Sequence, residues 1–365
     1  MTSEKNIFAK TIMAWFGRFG RKELPWKAPD KHLVGYYTLV SEIMLQQTTV
    51  ATVKERFPLF VERFPTFEAL ASASQDDVMK AWEGLGYYAR ARRLHHAAKI
   101  IMSEHQGKVP EKREERLELP GVGPTTASAL GAFVFNKPEP IWDANVARIF
   151  RRYWKSEWEE TTSSREWKKQ WNEHGKIIPD KKAALWTQAI MDFGSLICTP
   201  KKPLCVKCPL HASCQYYAEL SRDILTLAAF EGEDKNKNTG DYLSTTRKKD
   251  NKKQPKKVIW RNWVVLENEK GDEVALLKPQ EKGLWPGLWQ LPYTSLQGGG
   301  QSLEHGRHLL THRVVMWSVL ASSSETETFD PFQFFPEERI VWVSKNTLKT
   351  LAFPKPLQDF WASHP

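Results

Sequence analysis

The sequence predicts a multi-domain protein: an all-α region over residues 1–220, a basic linker over 221–257 and an α/β domain over 258–365. Three observations predict this. Over 7–217 apolar residues recur at helical spacing, as in 37–57, 75–85, 89–105 and 125–135, with glycine and proline between the segments. Over 231–257 large apolar residues nearly vanish and the stretch ends in RKKDNKKQPKK, which has no core to bury. Beyond Val258 come short runs rich in Val, Leu and Trp (VIWRNWVVLE, EVALLK, RVVMWSVLA, RIVWVS), bounded by turn-forming residues, which read as strands.

Composition narrows the class. Hydrophobic residues make up 41% of the 365 and aromatics 12%, enough for packed cores. No uninterrupted apolar stretch reaches membrane-spanning length. The N-terminal MTSEKNIFAKTIMAWFGRFG mixes Lys5, Lys10 and Arg18 into its apolar residues and lacks a signal-peptide core, so a cytoplasmic, soluble protein is expected. A net charge of +10 favours a polyanionic partner, nucleic acid foremost. The linker's lysines read either as a solvated segment or as one that also touches phosphates.

All four cysteines, Cys198, Cys205, Cys208 and Cys214, lie in one short stretch, which marks a single ligand set. Disulfides would need an oxidising compartment that the N-terminus does not support. Zinc usually takes two close pairs, whereas only Cys205 and Cys208 have the Cys-x2-Cys spacing. Four thiolates on a compact loop suit the corners of an iron–sulfur cube. Lys201, Lys202 and Lys207 beside them are a solvated face, an electrostatic offset to the cluster, or both.

Residues 116–130, RLELPGVGPTTASAL, read as a helix ending near Pro120, a tight turn at Gly121 and Gly123, and a new helix opening at Pro124. The N–H groups that open the second helix, with its positive dipole end, form a place for a DNA phosphate. Glu42 lies in TLVSEIMLQQTTV beside the apolar side marked by Leu39, Val40 and Ile43, where a carboxyl pKa would rise. Asp143 opens DANVARIFRRYW, the position of a helix N-cap.

With LPWK (24–27), SEIMLQQT (41–48), AWEGLGYYAR (81–90), LPGVG (119–123), WDANVAR (142–148) and the cysteine spacing together, the chain resembles the helix–hairpin–helix DNA glycosylases with a four-iron cluster. That group contains endonuclease III and the MutY-type adenine glycosylases. The resemblance implies a helix–hairpin–helix glycosylase core, one [4Fe-4S] cluster held by the four cysteines, and base excision with Glu42 and Asp143 as the catalytic pair. In MutY-type enzymes the Glu protonates N7 of adenine and later assists the attacking water, while the Asp stabilises the oxocarbenium-like sugar.

Bifunctional members carry a lysine where Thr125 stands; a hydroxyl cannot form a Schiff base, so the resemblance implies a monofunctional enzyme. Gln47 and Tyr87 are implied as residues that enter the opened duplex, with Gly121, Gly123 and Thr125 at the phosphate-binding turn. Residues 258–365 resemble, through GLWPGLWQLP (283–292), the Nudix-like C-terminal domain of MutY, without the acidic Nudix signature. Leu310, Thr311 and His312 then stand at the place of its 8-oxoguanine-reading loop. MutY-type chains usually have Ser or Tyr at Thr125, Gly at Ala144 and often Arg at Lys27.

The implied partner is double-stranded DNA bearing adenine opposite 8-oxoguanine or guanine, bound by a monomer, with no membrane. Two rival readings are a bifunctional oxidised-pyrimidine glycosylase of the endonuclease III type and a noncatalytic iron–sulfur DNA-binding protein.

Overall fold

The structure, a computed structural model, describes residues 2–27, 30–155, 164–230, 257–268, 270–280, 283–294, 302–310, 313–321 and 335–364. In chain order its helices are α1 (Thr2–Phe19), α2 (Val34–Leu45), α3 (Val50–Arg63), α4 (Phe67–Ser72), α5 (Gln75–Ala81), α6 (Ala89–Glu104), α7 (Arg113–Glu118), α8 (Pro124–Phe135), α9 (Ala144–Trp154), α10 (Ser164–Gly175), α11 (Ala183–Leu196), α12 (Gln215–Phe230) and α13 (Lys355–Ser363). The strands are β1 (Lys257–Val265), β2 (Glu273–Leu277), β3 (Tyr293–Thr294), β4 (Ser302–Leu309), β5 (Arg313–Ala321) and β6 (Ile340–Ser344). Among the described residues no helix is long and apolar enough to cross a membrane.

The chain divides into two compact units, one of residues 1–71 and 96–249 and the other of 72–95 and 250–365. The boundary therefore departs from a simple division near residue 220. Residues 72–95 join the strand-bearing unit because they bond to it: Lys80 Nζ donates to the Leu351 carbonyl at 3.4 Å and Gln358 Nε2 to the Tyr88 hydroxyl at 3.4 Å. Helix α12 also runs to Phe230, so 221–230 is helical and not linker, while 231–256 lies outside the described residues.

In the helical unit one core is built between α1, α9 and α11. Phe8 of α1 packs its ring on Phe150 (5.7 Å) and Trp154 (4.6 Å) of α9 and on Trp186 (6.1 Å) of α11, all buried. Each such ring is worth about 1.5–3 kcal/mol of burial, so the three helices are fixed where their polar residues must act. The 37–57 segment is two helices, not one. Gln46 ends α2 in an extended conformation, Gln47 takes a left-handed φ of 59°, and Thr49 restarts the chain by accepting the Thr52 N–H at 3.3 Å.

The hairpin is α7, the 119–123 turn and α8. Gly121 has φ of 86°, which a side chain would strain, and Pro124 is the first residue of α8. Arg116, fully buried, ties the turn together. Its Nε donates to the Ala127 carbonyl (2.9 Å), its Nη1 to Glu111 (2.7 Å), and its Nη2 to the Glu139 carboxylate (2.5 Å).

In the strand-bearing unit a four-stranded sheet runs β3-β1-β5-β4, with β1 and β5 parallel and the outer pairs antiparallel; β2 and β6 form a second antiparallel pair. Trp263, Val315 and Val319 are completely buried. The GLWPGLWQLP stretch supplies buried Trp285, Leu288 and Leu291 and a bridge from Gln290 to Leu277, so it fills the core as a turn.

Candidate active site

One cavity of about 510 Å³ in the helical unit is lined by Glu42 from α2, Asp143 at the head of α9, and Gln188, Asp192 and Ser195 from α11. Leu24, Trp26 and Lys27 from the stretch after α1 close another side. The two predicted catalytic carboxylates thus face one enclosure.

They are held differently. Glu42 sits on the edge of a helix face whose Leu39, Val40 and Ile43 are fully buried, and it is itself partly exposed, toward the cavity. Burial pushes its carboxyl up to about 7, and the negative charge of Asp143 adds to the rise. At neutral pH a large share of Glu42 therefore carries a proton. Asp143 is the N-cap of α9: Oδ1 accepts the Val146 N–H at 2.8 Å and Oδ2 accepts from Asn145 Nδ2 at 3.1 Å. A helix N-terminus and two donors suit a carboxylate anion. The helix cap and the expected catalytic residue are thus one side chain.

Behind Asp143 lies an arginine that sequence reasoning did not single out. Arg148 donates to Asn145 Oδ1 (2.8 Å), to the Gly194 carbonyl (2.8 Å) and to the Cys198 carbonyl (2.7 Å). It joins the Asp143 cap to the start of the cysteine loop. Only its presence in WDANVAR hinted at this, because its Gly194 and Cys198 partners lie 46 and 50 residues downstream.

The four cysteines surround a second cavity, of about 30 Å³, together with Arg152, Tyr216 and Tyr217. Backbone N–H groups of Leu210 and of Tyr216 and Tyr217 point at the sulfurs of Cys208 and Cys214, and Arg152 Nη1 reaches the Cys198 sulfur at 3.4 Å. Burial pushes the Cys208 thiol up to about 12. Among the described residues no group of three or more His, Cys, Asp or Glu side chains is gathered as ligands of a metal ion. Lys201, Lys202 and Lys207 are exposed on the same loop.

At the hairpin, Gly123 is extended (φ −90°), and a Cβ built there would meet no protein atom within 4 Å, so the turn is open to a ligand. Thr125 donates its hydroxyl to the Trp142 carbonyl at 3.3 Å, next to Asp143. Gln46 Nε2 bonds the Gly121 carbonyl at 3.1 Å and so belongs to the hairpin, whereas its neighbour Gln47 is exposed. Tyr87, in the other unit, is also exposed and also left-handed, with φ of 48°. Such backbone costs a non-glycine residue about 1–2 kcal/mol, a strain that clusters at functional positions. Arg90 is buried; its Nη2 donates to the Leu85 (2.9 Å) and Gly86 (3.0 Å) carbonyls, and its guanidinium lies over the Tyr87 ring. Leu310 is half-buried, and Thr311 and His312 lie outside the described residues.

Comparison with known proteins gives the family. Residues 40–173 match the model of the HhH-GPD superfamily base excision DNA repair protein. An adenine DNA glycosylase of Buchnera aphidicola (strain Bp) is 30% identical over 371 residues, covering 96% of this chain and 95% of that protein. The chain belongs to the adenine DNA glycosylase family. A second family member, from Buchnera aphidicola (strain Sg), is 41% identical, but the match covers 58% of this chain and 60% of that protein. Among solved structures, a thermostable thymine-DNA glycosylase superposes with a TM-score of 0.54 at 29% identity, covering 60% of this chain and 98% of its own. Family membership makes the chain a base-excision repair enzyme, a DNA N-glycosylase.

Proposed function

We propose that this enzyme removes adenine mispaired with 8-oxoguanine or guanine in double-stranded DNA, by hydrolysing the N-glycosidic bond and leaving the strand uncut. The observation that carries the reading is the pair of unlike carboxylates in one cavity, one pushed up to about 7 by burial and the other seated as a helix cap on N–H donors. Excision needs both at once. Glu42 delivers its proton to N7 of the base flipped into the cavity, which makes the base a better leaving group. As the C1′–N9 bond breaks, cationic charge on the sugar is met by the Asp143 carboxylate. Glu42, now ionised, accepts a proton from the water that attacks C1′.

Thr125 has no amine for a Schiff base, so the sugar is released as an abasic site and strand cleavage does not follow. Borohydride is expected to leave the wild-type enzyme untrapped on DNA; covalent capture through an imine would favour the bifunctional reading. The open hairpin at Gly121 and Gly123 serves as the phosphate seat, and Gln47 and Tyr87 fill the space the base leaves.

The four thiols fit one [4Fe-4S] cluster: four soft sulfurs around a single cavity, with N–H donors and Arg152 directed at them. A cube spreads its ligands over separate corners, unlike a single ion. When bound it supplies a structural crosslink of the 198–214 loop. The strand-bearing unit is read as a Nudix-like lesion reader, in which Leu310, Thr311 and His312 face 8-oxoguanine; a threonine hydroxyl can bond the N7–H and O8 edge that guanine lacks. Lacking the acidic Nudix signature, it binds without hydrolysing pyrophosphate.

The test is single-turnover excision on duplexes with adenine opposite 8-oxoguanine, adenine opposite guanine, and an oxidised pyrimidine. Adenine should be released from the first two and the pyrimidine left in place. Release of the pyrimidine alone would overturn the reading.

A further inference from the structure

Asp192 is a third carboxylate in the catalytic cavity, fully buried on α11 among Trp186, Ala189, Ile190 and Phe193. An unpaired anion there would be untenable, and it is paired by four donors. It accepts the Arg21 backbone N–H (2.8 Å), Arg21 Nε (3.0 Å), Arg21 Nη2 (2.6 Å) and Gln188 Nε2 (3.2 Å). Ser195 completes the seat, its Oγ accepting from Arg21 Nη2 at 2.8 Å and donating to the Asp192 carbonyl at 3.1 Å. Neither Arg21 nor Asp192 takes part in the chemistry described above.

What they fasten is informative. Residues 21–24 have neither helix nor strand, and only a turn follows at 25–27. This irregular stretch is pinned at Arg21, and Lys27 Nζ returns to the Arg21 carbonyl at 3.1 Å, so a shift of Arg21 carries Lys27 with it. Leu24, Trp26 and Lys27 of this stretch line the cavity, and α11 lines it with Gln188 and Met191. The pair therefore joins two walls of one enclosure and sets the distance between them.

We propose that the Arg21–Asp192 clamp is a positioning and specificity element that fixes the width of the base cavity, through Leu24, Trp26 and Lys27, for a planar purine of adenine's size. The inference rests on the functional reading above. The guanidinium gives Nε and Nη2 to Asp192 Oδ1 while the Arg21 backbone N–H takes Oδ2, so the pair is held at three points, which suits a gauge of width better than a flexible lysine contact would.

The experiment measures single-turnover excision of adenine and of the larger 2,6-diaminopurine, each opposite 8-oxoguanine, by wild type, Arg21→Lys, Arg21→Gln, Asp192→Asn and Arg21→Gln/Asp192→Asn. Thermal unfolding and visible absorbance check the fold of each, and Arg21→Lys keeps the test open if a stronger variant does not fold. Adenine excision should fall about 10- to 100-fold in the single variants, as for misplaced groups in an active site. Preference for adenine over diaminopurine should narrow, with the pH midpoint unchanged. The double variant should be no slower than the slower single, because each change removes the same clamp. Retained preference in folded variants, or losses that multiply in the double variant, would overturn the clamp while leaving the functional reading intact. Failure of wild type to release adenine would instead overturn that reading.

Discussion

The catalytic cavity and the thiol cavity of the helical unit stand at the two ends of one hydrogen-bond path, and each gathers groups that repel one another once ionised. In the first, Glu42 and Asp143 share 510 Å³, and the repulsion is met by a proton kept on Glu42 and by the helix terminus under Asp143. In the second, four sulfurs crowd 30 Å³, where burial and mutual repulsion raise the Cys208 thiol and only cations can stabilise four thiolates together. On the proposed reading a proton leaves during the reaction, whereas a cluster bound by the four thiolates would stay. The difference separates a site that must change charge in each turnover from one whose charge must stay fixed. Arg148 connects them, one edge on Cys198 and the other on Asn145 beside Asp143.

The comparison can be broken most strongly at the proton. Glu42→Gln removes the acid and should slow adenine release by about 10²- to 10⁴-fold in single-turnover assays, with DNA binding retained. Undiminished release would show that Glu42 is not the donor. Cys208→Ser attacks the fixed charge instead: iron content and visible absorbance should fall and the helical unit should melt earlier, and an iron-free variant of unchanged melting temperature would contradict the structural crosslink.

Arg148→Gln cuts the path between the two. It should lower excision by up to about 10²-fold by loosening the Asp143 cap, and should also hasten iron loss to a chelator. An effect on one cavity alone would show that the path does not couple them.

The smallest effect is on stability. Because burial raises the folded pKa of Glu42 above its unfolded value, its contribution is present at acid pH and lost as pH rises through about 7. At pH 8 Glu42→Gln should therefore be more stable than wild type, by about 1–3 kcal/mol in denaturant unfolding, and equal stability at pH 5 and 8 would count against a buried acid.

Much of this was legible beforehand, and the misses have physical causes. Helices at 89–104 and 124–135 follow from apolar spacing to within a residue at each end. The break at 46–49 does not, because it is written in the backbone of Gln47 and in the Thr49 cap, while the apolar pattern runs on through both helices. Strand β4 was invisible in the polar SLEHGRHL; its pairing with β5 makes it a strand. Both carboxylates were visible from motif and capping position. The Arg148 bridge to the Cys198 carbonyl and the Arg21–Asp192 clamp were not, since those bonds run to groups far along the chain that only folding brings near.

The most direct test of the protonated acid is the pH dependence of single-turnover adenine release from an adenine:8-oxoguanine duplex between pH 5 and 9. The rate constant should hold on the acid side and decline as pH passes about 7, following the loss of the Glu42 proton. A rate that stays flat, or climbs, through that range would contradict the account.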